Sequence, residues 1–296
     1  MRQDGFLGLS ASGGRAHLQR TETLGLPADA TPDLGSIVAL SRSRLASGTP
    51  LLVTFVNPHS RDVARRMPHF RQDLESFDCV LPDGIGMSMA IRWLNRIPAA
   101  RVSFDMTSLA PAILTLAAQE RRRVVLVGGV PGCAERAAAR LQDVFPGLDI
   151  VGIFDGYGEK EERAREIAAL NPEIVICGMG VGAQEAMLLA LARTGWRGCG
   201  FTCGGFLDQL SERAFYYPAW VDRLQLRFAY RLAREPRRLG RRYLLNYPPF
   251  FAALTAKAAM KLLRGPGRTD SHARRPAPIG GFIQPAVEEA ANRGAR

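Results

Sequence analysis

The chain has 296 residues, 47% of them apolar, which suits one α/β domain with appendages or two small domains around a sizeable core. No run approaches the roughly 18 uncharged apolar residues of a spanning helix. The N-terminus, MRQDGFLGLSASGGRAHLQR, lacks the apolar core of a signal peptide, so a cytoplasmic protein is expected. The net charge of +11 is concentrated: residues 213–275 hold 15 Lys/Arg against 3 Asp/Glu, a net of +12, which leaves −1 for the rest. A neutral body with a basic C-terminal segment seeks phosphates, whether in nucleic acid, anionic lipid or a pyrophosphate ligand.

Residues 1–34 are rich in Gly, Ser, Thr, Ala and Asp and read as mobile or loosely packed. LGSIVALSRSRLAS then reads as a helix and LLVTFVN (Leu51–Asn57) as a buried strand. SRDVARRMPHFRQDLESF reads as helical with a break at Pro68, FDCVL as a second strand, IGMSMAIRWL and SLAPAILTLAAQE as helices. RVVLVGG, LDIVGIFDGYG, EIVICGMG and GCGFTCGG are four more strands, separated by CAERAAARLQDVF, EKEERAREIAAL and AQEAMLLALARTG as helices. Strands alternating with helices predict an α/β domain over 35–212, a doubly wound, mostly parallel Rossmann-like sheet. The five cysteines lie mostly in strand-like runs and read as reduced core residues. Cys199 and Cys203 have no nearby His, so a zinc site is not expected.

In such a sheet ligands bind beyond the carboxyl ends of the strands. That directs attention to Asn57, Asp83, Gly128–Gly129, Asp155–Gly156, Gly178–Gly182 and Gly204–Asp208. VLVGGVPGCAERA and GMGVGAQEA are strand–turn–helix junctions whose backbone N–H groups could take a diphosphate; a plain tight connection is the other reading. There is no Walker pattern, no Asp-x-Asp, and no GxGxxG after the first strand, which argues against a dinucleotide dehydrogenase.

Beyond 212, Arg223, Arg227, Arg231, Arg234, Arg238 and Arg241 step by three and four, one stripe on a helix, with Leu224, Phe228 and Leu232 beside it. PPFFAALTAKAAMKLLRG reads as a basic amphipathic helix bearing Lys257, Lys261 and Arg264. Residues 213–264 are therefore expected to form a basic helical appendage that associates with an anionic membrane, where each basic residue contributes about 1 kcal/mol. No base-stacking aromatic platform accompanies the stripe, so nucleic acid is not the expected partner. Residues 265–296, rich in Pro, Gly and Arg, are expected to be disordered.

The succession VNP, LPDGIGMSMA, RVSFD, VLVGG, DGYG, GMGVGAQEA, GGFLDQL and YRLAREPRRLGRRYL resembles the WecG/TagA/CpsF glycosyltransferases over about Ser36 to Phe251. FVNPHS, RVSFD and YYPAW look closest to the GumM-like branch, which acts in exopolysaccharide assembly. The resemblance implies an inverting, metal-independent enzyme. It would transfer a sugar from a UDP-sugar to a polyprenyl-diphosphate-linked sugar at the cytoplasmic membrane face, with no cofactor. It places a general base at Asp83 and substrate contacts at Asn57, Arg101, Gln184, Asp208, Arg231, Arg238 and Arg241. A Thr common two positions before the Asn is Phe55 here, with Thr54 adjacent as the candidate. Phe104 replaces a usual Gly, Gly182 and Ala183 stand where Pro and Lys are common, and Arg227-Phe228 replaces a Glu-Trp pair.

From the residues alone other roles stay open. Asp83-Gly84 is also a turn signal, Arg101 suits a surface ion pair, Gln184 a helix-start hydrogen bond and Asp208 a helix cap. A non-catalytic nucleotide- or polyanion-binding relative is the alternative function. The GumM-like features suggest glucose as the transferred sugar, other branches an N-acetylmannosamine-type donor. Homo-oligomerisation is left open.

Overall fold

The computed structural model describes residues 18–30, 33–212 and 247–263, together with 221, 230, 232–233 and 240. Its centre is a six-stranded sheet made of the six apolar runs. These are β3 (Leu51–Val56), β4 (Cys79–Pro82), β5 (Arg123–Gly128), β6 (Asp149–Phe154), β7 (Ile174–Gly178) and β8 (Cys199–Thr202), in the order β4-β3-β8-β7-β5-β6. Every pairing in this sheet is parallel. β3, β4, β7 and β8 are buried throughout, as strands covered on both faces must be, whereas β6 at one edge is only partly buried.

Helices cover both faces. Val53, Phe55, Leu81 and Leu126 pack with residues of α1 (Leu34–Ser47), α5 (Leu109–Gln119), α6 (Cys133–Val144) and α9 (Phe206–Glu212). Leu52, Val56, Val125 and Val175 pack on the other side, with α2 (Pro58–Arg66), α3 (Pro68–Glu75), α4 (Gly84–Asn95), α7 (Lys160–Ala169), α8 (Ala183–Arg193) and α10 (Tyr247–Leu263). The break expected at Pro68 is the junction between α2 and α3, with Pro68 opening the second helix. All five cysteines are buried and unpaired, and burial raises the Cys79, Cys177 and Cys203 thiols far above the usual range.

One expectation is corrected. Part of the segment read as loose forms an antiparallel hairpin, β1 (Gln19–Thr23) and β2 (Leu26–Ala30), and every residue of β2 is buried. Asp29 explains why. Its carboxylate takes two hydrogen bonds from Arg20, at 2.7 and 2.6 Å, and one from the backbone N–H of Val80, at 2.6 Å. Arg20 also donates to the carbonyl of Phe77. The hairpin thus covers the exposed edge at β4, where an open row of backbone groups would invite pairing with another chain. The hairpin's cross-strand Arg20–Asp29 pair is local, but its anchors to Val80 and Phe77 are long-range contacts that no local pattern reveals.

Candidate active site

All six strands of the central sheet end at one cavity of about 1020 Å³. Asn57 follows β3, Asp83 follows β4, Gly129 follows β5, Gly156 and Tyr157 follow β6, Met179 to Val181 follow β7, and Cys203 to Gly205 follow β8. The glycine turns bring backbone close together. At Gly128, φ is +141° and an added Cβ would lie 2.2 Å from the Gly178 carbonyl oxygen, so the junction of β5 and β7 admits only glycine there.

Asp83 occupies the position that normally caps a helix, directly before α4, yet its side chain makes no capping hydrogen bond. The Asp-Gly turn is present in the backbone, with Gly84 at a φ of +79°, and the carboxylate itself caps nothing. Asp83 N–H donates to Val56 O at 2.8 Å, which fixes the β4 end against β3. Asn57 divides its amide between two tasks. Its Oδ1 accepts from the N–H groups of His59 and Ser60, capping α2, and its Nδ2 donates to Asp83 Oδ2 at 3.3 Å. Capping fixes which end of the amide faces Asp83: a donor.

Arg101 also borders the cavity. The segment carrying it is tied to the β4 end by a hydrogen bond from Val102 N–H to Pro82 O at 3.0 Å. Its guanidinium donates to Ser103 Oγ at 3.1 Å and lies 3.6 Å from Asp105, while Ser103 donates to Asp105 at 2.7 Å. Arg101 is thus in an ion pair, as one reading had it, but the pair stands on the cavity wall. Phe104, in place of a smaller residue, fills an aromatic cluster with Phe201, Phe206 and Phe55, at centroid distances of 5.3, 5.6 and 6.4 Å.

Asp208 lies in the first turn of α9, beside the Gly129 turn, and lines the cavity. Its Oδ1 accepts from the Cys133 thiol at 3.4 Å, and that thiol is raised by burial first and by Asp208 second. Asn57, Asp83, Arg101, Gln184 and Asp208 therefore meet around one space, although 151 positions separate the first from the last.

A model of the family described as "Glycosyl transferase WecG/TagA/CpsF family" matches residues 21–264. The chain belongs to this family. A UDP-Gal:alpha-D-GlcNAc-diphosphoundecaprenol beta-1,4-galactosyltransferase of Shigella boydii is 30% identical over 215 residues, 71% of this chain and 88% of that protein. An N-acetylglucosaminyldiphosphoundecaprenol N-acetyl-beta-D-mannosaminyltransferase of Bacillus spizizenii is 28% identical over 225 residues, covering 75% and 86%. The protein of the same name from Bacillus subtilis is 27% identical over 201 residues, covering 67% and 77%.

Two features of this glycosyltransferase's cavity differ from expectation. Thr54 does not line it. The side chain is fully buried below, donating to Glu185 Oε1 at 2.8 Å and bonding Thr202 Oγ1 at 2.9 Å. Glu185, read from the sequence only as part of a helix start, is the hub of this layer. Its carboxyl also accepts from Gly182 N–H at 2.6 Å and from Gln184 Nε2 at 3.0 Å. Burial raises its pKa, against the pull of these donors. Gln184 Oε1 in turn accepts from Gly204 N–H at 3.0 Å. Gln184 thus links the β7 and β8 ends, a local bonding role that coexists with its place on the wall. A signal existed: Thr54 follows Val53 and precedes Phe55, both facing α1 and α5, so alternation turns it toward α8.

Arg231, Arg238 and Arg241 lie outside the described residues, as do Arg223, Arg227 and Arg234. Leu232 and, from α10, Tyr247, Pro248 and Phe251 complete the cavity wall. Lys261 is not a free surface charge: its Nζ donates to Leu94 O at 2.6 Å, closing the C-terminal end of α4. Among the described residues no helix is long and apolar enough to cross a membrane.

Proposed function

We propose that this glycosyltransferase moves a hexose from a UDP-sugar to a polyprenyl-diphosphate-linked sugar, with inversion and without a metal, in surface-glycan assembly. The observation that carries the reading is the Asp83 carboxylate, set at a strand end on the cavity wall, spared from capping and held by a donor from Asn57. In this mechanism Asp83 takes the proton of the acceptor hydroxyl. That oxygen attacks the anomeric carbon as the bond from this carbon to the UDP oxygen breaks, and one displacement inverts the centre. The charge gathering on UDP falls to the backbone N–H groups of the glycine turns and to Arg101, with Arg231, Arg238 and Arg241 as further candidates. The relatives' names support a lipid-diphosphate acceptor bearing N-acetylglucosamine. They diverge on the donor, so galactose, glucose and N-acetylmannosamine are the sugars to compare. The basic appendage would hold the enzyme at the inner face of an anionic membrane.

The test is a transfer assay in mixed micelles with polyprenyl-diphosphate-linked N-acetylglucosamine, a panel of UDP-sugars and EDTA. Wild type should form a disaccharide-lipid from one donor, and Asp83→Asn should lose about 10²–10⁴ in kcat while retaining UDP. Turnover like wild type in that variant would remove Asp83 from the mechanism. No product from any donor, with UDP still bound, would turn the reading to a nucleotide-binding relative.

A further inference from the structure

Exposed apolar side chains concentrate in one place. Ile85 and Trp93 on α4 and Phe251, Met260 and Leu263 on α10 account for five of the nine large hydrophobic residues exposed among the described residues. The two helices lie side by side and run the same way. Gly86 faces Phe251, with a would-be Cβ only 3.4 Å from its ring, and Lys261 reaches Leu94 O at the far end. Ile85, Met89 and Trp93 step by four, so they form one stripe along α4. It starts two residues after Asp83 and extends about 12 Å. Ile85, Met89 and Phe251 line the cavity, and Trp93 lies beyond it at 51% exposure. Arg92 and Lys257 are exposed on the same two helices.

We infer that this stripe seats the first isoprene units of the acceptor's polyprenyl chain. The inference rests on the proposed function and deepens it. A lipid-linked acceptor whose hydroxyl reaches Asp83 has its diphosphate one sugar away, and its chain must leave the cavity over an apolar surface. The α4 stripe is continuous with the cavity, begins beside the proposed base and is bordered by cations suited to a diphosphate or its membrane. A UDP-sugar carries no alkyl chain to follow such a path out to Trp93. The body of the enzyme, and not its basic appendage alone, thereby recognises lipid.

The experiment compares wild type and Trp93→Gln on two acceptors. One is the long-chain polyprenyl-diphosphate N-acetylglucosamine in micelles; the other is a water-soluble short-alkyl diphosphate analogue. Removing one large apolar contact should raise KM for the long-chain acceptor about tenfold, with kcat kept. Kinetics on the short analogue should not move. Unchanged KM on the long chain would overturn the seat, and so would equal losses on both acceptors, which mark a structural effect. Weaker binding to acceptor-free anionic vesicles, with KM in micelles intact, would assign the stripe to the bilayer surface instead. A dimer in wild type that dissociates in Trp93→Gln, again with KM intact, would assign it to a second copy of the chain. Product from wild type on neither acceptor would overturn the transferase reading and the seat together, whereas product with insensitivity to Trp93 overturns the seat alone.

Discussion

Thr54→Val removes one hydroxyl and leaves the shape of the side chain, so no cavity term enters. Two hydrogen bonds are lost, the 2.8 Å donation to Glu185 and the 2.9 Å bond with Thr202. A bond to an ionised group is worth about 1.5–3 kcal/mol and a neutral one about 0.5–1.5 kcal/mol. With Glu185 ionised the variant should therefore be less stable by about 2–4.5 kcal/mol, and with Glu185 protonated by about 1–3 kcal/mol. The pH dependence has a definite sign. Burial raises the Glu185 pKa in the folded state above its ordinary 4.5. Between those two values the folded protein holds more protons than the unfolded chain, so this residue's contribution to stability falls as pH rises through that window. Removing a donor to the carboxylate raises the folded value further and deepens the fall. Urea unfolding of wild type and variant at pH 5 and pH 8 measures it, the difference between the two proteins being the quantity compared. The deficit should be larger at pH 8. A deficit that does not grow would show that Glu185 does not change protonation across this range, and a larger one at pH 5 would overturn Thr54 as a donor that favours the carboxylate.

Asn57→Asp should keep the α2 cap while setting a second carboxylate about 3 Å from Asp83; like charges so placed share a proton. The acid limb of the pH–rate profile should then move to higher pH, and an unmoved limb would separate Asn57 from the base. Gly128→Ala drives a Cβ into the Gly178 carbonyl from a left-handed backbone position, and should cost about 3 kcal/mol or more, seen as a lowered unfolding midpoint. Asp29→Ala removes the carboxylate from the half-buried Arg20 guanidinium, which keeps only backbone carbonyls, and leaves the Val80 N–H without its acceptor. A loss of about 3 kcal/mol is expected, with new proteolytic cleavage near residues 24–25 where the hairpin turns.

What was legible in the sequence, and what was not, follows from the range of the interactions. The central strands were readable because burial on both faces demands unbroken apolar runs, and LLVTFV, RVVLVG and IVICG supply them without reference to the rest of the chain. Once parallel strands are granted, their ends must gather, and Asn57 and Asp83 could be placed together from that alone. The hairpin was hidden because its two short strands depend on Asp29 reaching Arg20 within the hairpin and Val80 outside it, a partner 51 residues away. Glu185 was hidden for the same reason: its nearest neighbours in sequence make it look like the start of a helix, and only Thr54, 131 residues earlier, reveals it as a buried hub.

The same contrast explains how the site is built. The proposed base has no rigid cap of its own, because a carboxylate bonded to helix N–H groups would be a weaker proton acceptor. Its placement is instead delegated. The β4 end is pinned by Val56 O, the carboxylate is steered by an Asn57 amide whose orientation α2 fixes, and β4 is backed at its outer edge by the hairpin. Elsewhere on the wall Gln184 is held in the same indirect way, by Glu185 and by the Gly204 turn. On the proposed reading the cavity takes a nucleotide, two sugars and a lipid chain, and its reacting group can stay open to substrate only if the restraint comes from behind. That is the arrangement Asn57 and Glu185 provide, one at the level of the base and one beneath the floor.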